Sequence, residues 1–346
     1  MTDARLARRA LWYAWRMTSR PQEVREGVPL TNLDQPLFPG SGATKGDLVD
    51  YLDQVSAQII GELRDRPLSV IRVTRGQAPF MQKNLPASTP DWVVRAPVWA
   101  EASHRTVSYA LCNDRPTLLW FGNQRAVEYH PTLTRVDDPG RMTHLVLDLD
   151  PPESKGATDS IAAFRAAVKA AQLVHQALDD LGLAAAVKTS GAKGVHVFVP
   201  IVEGTTLEDA AAATRAIARR AELLDTGIAT TAFVKADREG KVFIDSTRTG
   251  GGTVVAAYSP RARPGVPVSF PVAWDDLDAV SPADFTIHNA AELLGGRNPW
   301  VDAMPAPQQL PTDLVAEGHQ IPVPRVSAMH EGKRRAKAQR EQPTPG

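Results

Sequence analysis

Two aspartates at the end of an apolar run are the residues in this sequence whose types and spacing most clearly suggest chemistry. In "THLVLDLDPPESKG", Asp148 and Asp150 are separated by Leu149 and followed by Pro151. Side chains alternate between the two faces of a strand, so this spacing places both carboxylates on one face. Two adjacent carboxylates repel each other, whereas a divalent cation stabilises both and prefers oxygen ligands. The pair therefore indicates a metal site at a strand end.

A third aspartate, Asp245, ends the segment "KVFID", which alternates like a strand. Three acids at strand ends can hold two metal ions about 3.5 to 4 Å apart, which activate a hydroxyl and clamp the oxygens of a phosphoryl group. A purely structural interpretation stays open for each acid taken alone. One aspartate of the pair would cap a helix, and Asp245 would border an ordinary turn.

The segment "KTSGAKGVH" lies between the two acidic strands and has the composition that a polyphosphate requires. Glycines allow backbone N–H groups to approach, while Ser190, Lys193 and His196 supply a hydroxyl, a point charge and a ring donor. The Walker pattern is absent, so a P-loop mechanism has no support. The alternative interpretation is an ordinary glycine turn with His196 as a half-buried, hydrogen-bonded residue.

Further basic residues follow the second half of this pattern. In "YSPRARPG", Arg261 and Arg263 are two residues apart and would share a face if the segment is extended, where both could bind phosphates. Lys235, Arg238 and Arg248 are close in sequence. Each of these cations, taken singly, is also compatible with an ordinary solvated surface.

Hydrophobic periodicity predicts the elements that must position these residues. Strands are expected at "HLVLDLD", "AAAVKTS" and "VHVFVP", and "KVFID" and "TVVAAYS" are expected to form a hairpin around "STRTGGG". Helices are expected over "TDSIAAFRAAVKAAQLVHQALDDLG" and residues 207–224, the first with Ile161, Phe164, Val168 and Leu178 on one apolar stripe. Strands that alternate with helices and then pair directly predict an α+β fold with a mixed or antiparallel sheet and helices on one side.

The two ends of the chain have different patterns. Residues 1–27 read as a basic amphipathic helix, and a second helix is expected from the capping box of Thr44 and Asp47 to Leu63. Short strands are expected at "LSVIRVT" and "RPTLLWFG". Residues 301–346 are rich in proline and basic residues, lack periodicity and predict a poorly ordered tail.

Composition narrows the class of protein. The chain has 346 residues, 43% of them hydrophobic, which is enough for a substantial core. Cys112 is the only cysteine, so an intramolecular disulfide cannot form and a reducing cytoplasm is expected. No apolar run is long enough for a signal core or a membrane span. The net charge is zero, but basic residues cluster locally, as in "GKRRAKAQR", so a nucleic-acid partner stays open.

Four motifs occur in order: Asp148-Leu-Asp150-Pro, Ser190-Gly-Ala-Lys193-Gly-Val-His196, Phe243-Ile-Asp245 and Tyr258-Ser-Pro-Arg261-Ala-Arg263. This ordered set resembles the polymerase domain of bacterial DNA ligase D, a member of the archaeo-eukaryotic primase superfamily. The resemblance extends upstream through "LTNLDQPLFPGSGATKGDLVDY", "FMQKNLP" and "VEYHP". It implies a primase-polymerase domain over 28–300, with an N-terminal α/β module at 28–135 and a primase-like catalytic core at 136–300. We expect a stand-alone homologue, because no ligase or nuclease segment follows.

The resemblance implies roles for individual residues. Asp148, Asp150 and Asp245 would be catalytic and would bind two Mn²⁺ or Mg²⁺ ions. An incoming NTP or dNTP would be bound by Ser190, Lys193, His196, His130, Arg261, Arg263 and Arg238. DNA would be contacted by Lys45, Arg72, Phe80 and Lys83.

The implied activity is DNA-dependent primer extension and short gap filling in DNA repair, with a preference for ribonucleotides. The implied partners are DNA primer-templates, gaps and broken ends, with Ku and a separate DNA ligase. The protein would be a cytoplasmic, nucleoid-associated monomer without membrane contact.

The sequence departs from the family pattern at three positions. Gln35 stands where the family usually has a lysine for the downstream 5′-phosphate, although Lys45 keeps the second basic position. A Lys-Arg pair is reduced to Ile71-Arg72, and an asparagine is replaced by Thr249. These changes affect the expected recognition of phosphorylated ends. Two other classes stay open: a non-catalytic DNA-end-binding scaffold, and an Asp-x-Asp phosphohydrolase or glycosyltransferase.

Overall fold

The fold is α+β, as the sequence predicts. A computed structural model describes residues 23–100, 104–153 and 157–323. In this part of the chain, two larger sheets carry the functional candidates, and their strand pairs are antiparallel except for one parallel pair. None of the helices described is both long enough and apolar enough to cross a bilayer.

Within residues 23–100 and 104–131, the N-terminal part contains a small hairpin, three helices and a five-stranded sheet. In that sheet, β3 is central and pairs with β4, β6 and β7, while β5 pairs with β6. The elements, in chain order, are β1 (Glu23–Arg25), β2 (Val28–Leu30), α1 (Lys45–Gln54), α2 (Ser56–Leu63), β3 (Leu68–Arg72), β4 (Phe80–Gln82), β5 (Arg95–Ala100), β6 (Arg105–Ala110), α3 (Arg115–Asn123) and β7 (Ala126–Pro131).

The C-terminal part is built on a six-stranded sheet with the order β11-β12-β8-β10-β9-β13. Its elements are β8 (His144–Asp150), α4 (Ala157–Asp179), β9 (Ala186–Thr189), β10 (Val195–Pro200), α5 (Leu207–Leu224), β11 (Ala229–Thr230), β12 (Val242–Asp245), β13 (Pro271–Val272), α6 (Ala290–Leu294), α7 (Pro299–Ala303) and α8 (Thr312–Gln320). The central strand β8 therefore has β12 on one side and β10 on the other.

The helices α4 and α5 pack against each other and against this sheet. Alanines on α5, among them Ala213 and Ala216, are fully buried and allow close packing. The contact with α8 is closer still, because a Cβ at Gly318 would lie 1.9 Å from the carbonyl oxygen of Ala212. Glycine is therefore required at position 318 for α8 to dock on α5.

The two sheets share one hydrophobic core. Buried residues from β3 and α1 form a single cluster with those of β8, β10 and α5. Hydrogen bonds also cross between the two parts: the Tyr51 hydroxyl donates to the Tyr258 carbonyl at 2.8 Å, and the Trp300 indole donates to the Glu62 carboxylate at 2.8 Å. The N-terminal sheet is thus held in a defined position beside the catalytic candidates.

Two local predictions in the N-terminal part need correction. "RPTLLWFG" forms the helix α3 instead of a strand, because Asp114 accepts a hydrogen bond from the Thr117 amide and a proline begins the first turn. The segment after Thr44 keeps its predicted capping box but forms two helices that meet at Val55. The apolar run of α3 is buried, which explains why it resembled a strand.

The hairpin predicted around "STRTGGG" is also wrong. β12 pairs with β8 and β11, while "TVVAAYS" is not a regular strand. It follows β7 instead, through a bridge from Thr253 to Thr132 and a hydrogen bond from the Ala256 amide to the Tyr129 carbonyl at 2.9 Å. The helix α4 is present as predicted, but Ile161 is 56% exposed although it was expected on the apolar stripe.

The chain ends differ from the expectation where the structure describes them. Residues 23–25 form β1, so the predicted basic helix does not reach residue 27, and its first 22 residues lie outside the described part. The predicted tail contains the ordered helix α8, with Leu314 fully buried. Trp300, in α7, is also buried, so packing in this region depends on a few apolar anchors in a proline-rich sequence.

Candidate active site

Strand pairing brings the three candidate metal ligands together. Asp148 lies opposite Asp245 in the pairing of β8 with β12, and Asp150 lies two residues further along β8. Each of the three aspartates offers a carboxylate oxygen within 4.8 Å of the others. Asp148 and Asp245 are 8% and 6% exposed, while Asp150 faces a cavity. Pro151 follows directly and cannot donate a further ladder hydrogen bond, so the cluster lies at the end of β8.

The environment separates the pKa values of the two carboxylates on β8. Desolvation, followed by the charges of Asp148 and Asp245, raises the pKa of Asp150 to about 7. Burial also tends to raise the pKa of Asp148, but His196 and Arg248 outweigh it and hold that pKa below its usual range. Such a separation is the expected response of like charges that share a confined space.

The charges around the cluster fit a divalent cation. Arg248 is the guanidinium nearest to it, with Nε 3.2 Å from Asp148 Oδ2 and 3.3 Å from Asp245 Oδ2. The single positive charge of this arginine does not balance the negative charge of three carboxylates. Carboxylate oxygens are also the ligands that Mg²⁺ and Mn²⁺ prefer. These three side chains are therefore the residues that would hold metal.

A buried chain of hydrogen bonds supports Asp148 from behind. His196, opposite Asp148 on β10, has Nε2 3.2 Å from Asp148 Oδ1. Its Nδ1 lies 2.8 Å from Nζ of Lys188, which also donates to the Ser269 hydroxyl at 2.7 Å. With Lys188 as the donor, Nδ1 is the acceptor and the ring proton lies on Nε2, facing the carboxylate. Lys188 thereby orients His196.

Lys188 occupies a position at which a lysine is energetically unfavourable. Its side chain is completely buried, and it forms no ion pair with a carboxylate among the described residues. Burial lowers its pKa well below the ordinary value for lysine. Because an amine desolvated in this way destabilises a fold, its presence is best explained by its hydrogen bond to His196.

The "SGAKG" turn connects β9 to β10 and packs tightly against both neighbours. The Ser190 hydroxyl accepts hydrogen bonds from the amides of Ala192 and Gly194, so it closes the turn. A Cβ at Gly194 would lie 2.5 Å from the Leu149 carbonyl oxygen, and Gly191 has a φ of +67°. These glycines therefore have a packing role beside β8, which the sequence did not show.

The predicted nucleotide-binding residues His130 and Arg261 share a partner that the sequence analysis missed. Glu128 Oε2 lies 2.9 Å from His130 Nε2 and 3.1 Å from Arg261 Nε. Burial tends to raise the pKa of Glu128, but the hydrogen bond from His130 and the charge of Arg261 lower it to about 2. Arg261 also donates to the Ser190 carbonyl. Glu128 thus ties the β7 strand to the "SGAKG" turn.

A cavity of about 770 Å³ opens directly in front of Asp150, and we call it the lysine-rich cavity. In the described ranges 104–153 and 157–323, five cations and two carboxylates line it, so its field favours a polyanion. Its charged residues are Asp150, Glu153, Lys193, Lys235, Arg238, Lys241 and Arg263.

Three predicted nucleotide-binding residues thus reach one cavity with the metal cluster. Lys193 donates to the Pro152 carbonyl at 3.3 Å, and the Arg238 guanidinium lies 3.8 Å from the centre of the Phe243 ring. Arg263 lines the same cavity, while Arg261 points to Glu128 instead. The two arginines of "RAR" therefore point to different places, Arg261 to Glu128 and Arg263 to the cavity, because this segment turns and is not extended.

The predicted DNA contacts lie in the N-terminal part. Phe80 is 38% exposed on β4, beneath the Arg72 guanidinium at 5.9 Å, and Lys83 is exposed one residue after that strand. Lys45 differs, because it is buried, donates to the Thr31 carbonyl at 2.5 Å and to Asn123 Oδ1 at 2.6 Å, and has a pKa lowered by desolvation to about 8.

Near Lys45, a cavity of about 490 Å³ contains the position that departs from the family pattern. Gln35 lines it, with its side-chain amide 3.0 Å from Asn32 Oδ1. Arg72, Arg75 and Arg125 line it as well. Thr249, the other departure, is fully buried and accepts a hydrogen bond from the Val146 amide at 3.0 Å, so it anchors the turn after β12 to β8.

The fold and this site together define an α+β protein with a three-carboxylate centre of the type used for nucleotidyl transfer. A model of the LigD primase-polymerase domain family matches residues 44–300. The chain belongs to this family, which places it among the primase-polymerase nucleotidyltransferases.

Individual relatives agree with this assignment. The multifunctional non-homologous end joining DNA repair protein LigD of Mycobacterium tuberculosis is 34% identical over 264 residues, which cover 72% of this chain and 33% of that protein. The bifunctional non-homologous end joining protein LigD of Bacillus subtilis is 29% identical over 319 residues, which cover 89% of this chain and 50% of that protein. The chain thus spans between a third and a half of the length of these relatives.

A solved structure is also similar. The polymerase domain from Mycobacterium tuberculosis Ligase D in complex with DNA superposes with a TM-score of 0.70 at 31% sequence identity. The match covers 81% of this chain and 98% of that domain. The similarity therefore extends over nearly the whole of the solved domain and over most of this chain.

Proposed function

We propose that this protein is a metal-dependent nucleotidyltransferase that extends a DNA primer and fills short gaps. The observation that carries the proposal is the cluster of Asp148, Asp150 and Asp245, of which Asp150 lines the lysine-rich cavity. Carboxylates that share metal ions beside a polycationic cavity are what transfer from a nucleoside triphosphate requires. A phosphohydrolase or glycosyltransferase has no comparable support from the family.

Each group in the site has a defined task in this reaction. Two Mn²⁺ or Mg²⁺ ions would supply charge stabilisation and lower the pKa of the primer 3′-hydroxyl. Lys193, Arg238 and Arg263 would bind and orient the triphosphate of an NTP or dNTP, while His196 would donate from Nε2 to Asp148 or to a phosphate oxygen. The 3′-oxygen then bonds to the α-phosphorus, the bond from that phosphorus to the bridging oxygen breaks, pyrophosphate leaves and the hydroxyl proton passes to solvent.

The N-terminal sheet would position the DNA. Phe80 is exposed and suited to stack on a template base, and Arg72 and Lys83 are suited to contact phosphates. Lys45 and the arginines near Gln35 would face the downstream end of a gap. By analogy with the LigD relatives, the physiological setting would be non-homologous end joining near the nucleoid, with Ku and a separate ligase as partners and ribonucleotides as preferred substrates.

The central test is primer extension on a gapped duplex, with NTPs or dNTPs and with Mn²⁺ or Mg²⁺. We expect incorporation by the unmodified protein and none by Asp148→Ala, with DNA binding retained. Undiminished synthesis by Asp148→Ala would refute the proposed chemistry. Binding of DNA without incorporation under either metal would support a scaffold instead.

The same assay tests the role of Gln35 in recognising broken ends. The gapped duplex is offered with a downstream 5′-phosphate or with a 5′-hydroxyl. Because glutamine lacks the charge that the family lysine provides, we expect the phosphate to change the rate little. A strong dependence on the phosphate would show that Lys45 and the neighbouring arginines are sufficient.

A further inference from the structure

A second cavity is lined by Arg248, the arginine that pairs with the metal cluster, and no step of the proposed reaction uses this cavity. It has a volume of about 600 Å³ and lies between α5 and the turn that follows β12. We call it the glycine-turn cavity. Arg215, Phe233, Thr247, Arg248, Gly251 and Val323 are among its lining residues.

The two cavities are connected to the carboxylate cluster through different residues. Asp150 lines the lysine-rich cavity, whereas Arg248, which pairs with Asp148 and Asp245, lines the glycine-turn cavity. The segment after β11 contributes to both, because Phe233 lines one cavity and Lys235 the other. A nucleotidyl transfer needs two substrates at the metal, and this site has one cavity beside Asp150 and a second beside Arg248, the ion-pair partner of Asp148 and Asp245.

The charge of the glycine-turn cavity differs from that of the lysine-rich cavity. Among the residues that the structure describes, its lining contains two arginines, two hydroxyls and no carboxylate, beside the apolar Phe233 and Val323. A nucleoside triphosphate requires several cations, whereas two arginines beside an aromatic ring suit one phosphodiester with an attached nucleoside. The composition therefore favours a nucleotide unit of a strand over a free triphosphate.

Arg215 is the observation that most directly indicates an anionic ligand. It lies on α5 and forms no ion pair with any carboxylate in the part of the chain that the structure describes, and its Nε is buried without a hydrogen-bond partner. Its Nη2 donates to the Gly318 carbonyl of α8 at 3.1 Å, which fixes the guanidinium. An oriented, half-buried cation without a counter-charge is a preformed binding site for a phosphate.

We propose that the glycine-turn cavity binds the 3′-terminal nucleotide of the primer, with Arg215 on its last internucleotide phosphate and Phe233 near its base. This inference rests on the proposed function and names the acceptor side of the same site. Arg248 would then face the primer terminus once metal ions have taken over the charge of Asp148 and Asp245. In this arrangement α8 helps to form the binding site. Its Gly318 carbonyl holds the Arg215 guanidinium, and the segment that follows it places Val323 in the wall of the glycine-turn cavity.

The test compares Arg215→Gln with Arg219→Gln, a control one turn along α5 whose arginine is exposed and paired with Glu222. We expect Arg215→Gln to raise KM for the primer-template about tenfold, with KM for the nucleotide unchanged, since a charged hydrogen bond to phosphate is lost. The salt dependence of primer-template binding should fall by about one phosphate contact. Arg219→Gln should change neither value.

Modified primers locate the contact. A neutral methylphosphonate replaces either the last internucleotide phosphate of the primer or, as a control, the fifth phosphate from its 3′ end. The unmodified protein should lose affinity only for the first primer, and Arg215→Gln should no longer distinguish the two. Arg215→Lys keeps the positive charge and should therefore retain part of the discrimination between the two primers. This variant separates the loss of a phosphate contact from poor folding. Equal sensitivity of the unmodified protein and Arg215→Gln would overturn the proposal, as would an effect confined to KM for the nucleotide.

Binding and catalysis are measured separately, so the two proposals can fail separately. Fluorescence anisotropy with these primer-templates, without nucleotide, reports the cavity even if the protein extends no primer. Absence of extension together with the expected Arg215 dependence of binding would refute only the proposed polymerase activity. Normal extension by Arg215→Gln with unchanged KM would refute only the acceptor site.

Discussion

The six-stranded sheet and the edge strand β4 of the five-stranded sheet carry their candidate functional residues in opposite ways. In the six-stranded sheet, Asp148, Asp245, Lys188 and His196 are buried and contact one another. At the edge strand β4, the candidate DNA contacts Phe80 and Lys83 are exposed and separate. Buried charges interact strongly and shift each other's pKa, whereas exposed charges act weakly and almost independently. Substitutions should therefore have all-or-none effects in the buried cluster of the six-stranded sheet and graded effects at β4.

The largest contrast should come from Asp150→Asn and Lys83→Gln. Loss of a metal ligand should lower kcat at least about 10³-fold, because charge stabilisation worth several kcal/mol disappears. Loss of one exposed cation should leave kcat unchanged and weaken DNA binding a few-fold, with a salt slope smaller by about one. Steady-state kinetics and binding at several salt concentrations measure both. A large loss of kcat in Lys83→Gln would break the contrast.

Lys188→Met should separate stability from activity within the six-stranded sheet. Replacing a buried amine that lacks a carboxylate partner by an apolar side chain of similar length should leave Tm unchanged or raise it. Activity should nevertheless fall about 10- to 100-fold, since the orientation of His196 beside Asp148 is lost.

The ¹⁵N chemical shifts of His196 provide a readout that a merely structural lysine would not change. We expect the Nε2–H tautomer in the unmodified protein and a mixture in Lys188→Met. Ser269→Ala, which keeps the bond between Lys188 and His196, is the matched control and should retain the tautomer. A lower Tm with an unchanged tautomer would show that Lys188 only supports the fold.

Metal binding should depend on pH in a way that DNA binding does not. The pKa of Asp150 is raised to about 7, so below that pH a metal ion must displace a proton. The Mn²⁺ association constant should therefore rise about tenfold per pH unit up to pH 7 and level off above it. Calorimetry in two buffers of different ionisation enthalpy should show release of about one proton at pH 6. A flat profile between pH 5.5 and 7 would contradict the assigned cluster.

The smallest effect should come from Gln35→Lys on the five-stranded side. A single added surface charge contributes about 0.2 to 1 kcal/mol, so preference for a downstream 5′-phosphate should increase about two- to fivefold. The ratio of extension rates on phosphorylated and unphosphorylated gaps measures it. Extension of a primer-template without a downstream strand should not change, and an equal gain there would mean that the added lysine acts nonspecifically.

Much of the fold was predictable where a signal is local. β8, β10 and α5 occupy the segments that periodicity predicts, and the capping box at Thr44 is present. The strand predicted at "RPTLLWFG" failed because a short, fully buried apolar run has the same appearance in a helix and in a strand. The helix start at Asp114 and Pro116 was the signal that could have resolved it.

The candidate site was predictable to a similar extent. Asp148, Asp150 and Asp245 form one cluster, and Lys193, Arg238 and Arg263 line one cavity with Asp150. Glu128 and Lys188 were missed, although Glu128 lies two residues from His130 on the same face of β7 and Lys188 lies two residues before Ser190. That spacing was a usable signal, but only burial distinguishes such a partner from an ordinary charged residue.

By itself, the sequence determined which side chains share a strand face, where helices begin and in what order the four motifs occur. These properties depend on neighbours a few residues apart, and backbone geometry translates them directly into direction. Only the tertiary structure decided that Asp245 pairs with Asp148 and that Glu128 joins His130 to Arg261. It also decided that α8 fixes Arg215 in the wall of the glycine-turn cavity. Such contacts join residues far apart in the chain, and they depend on how the whole core packs.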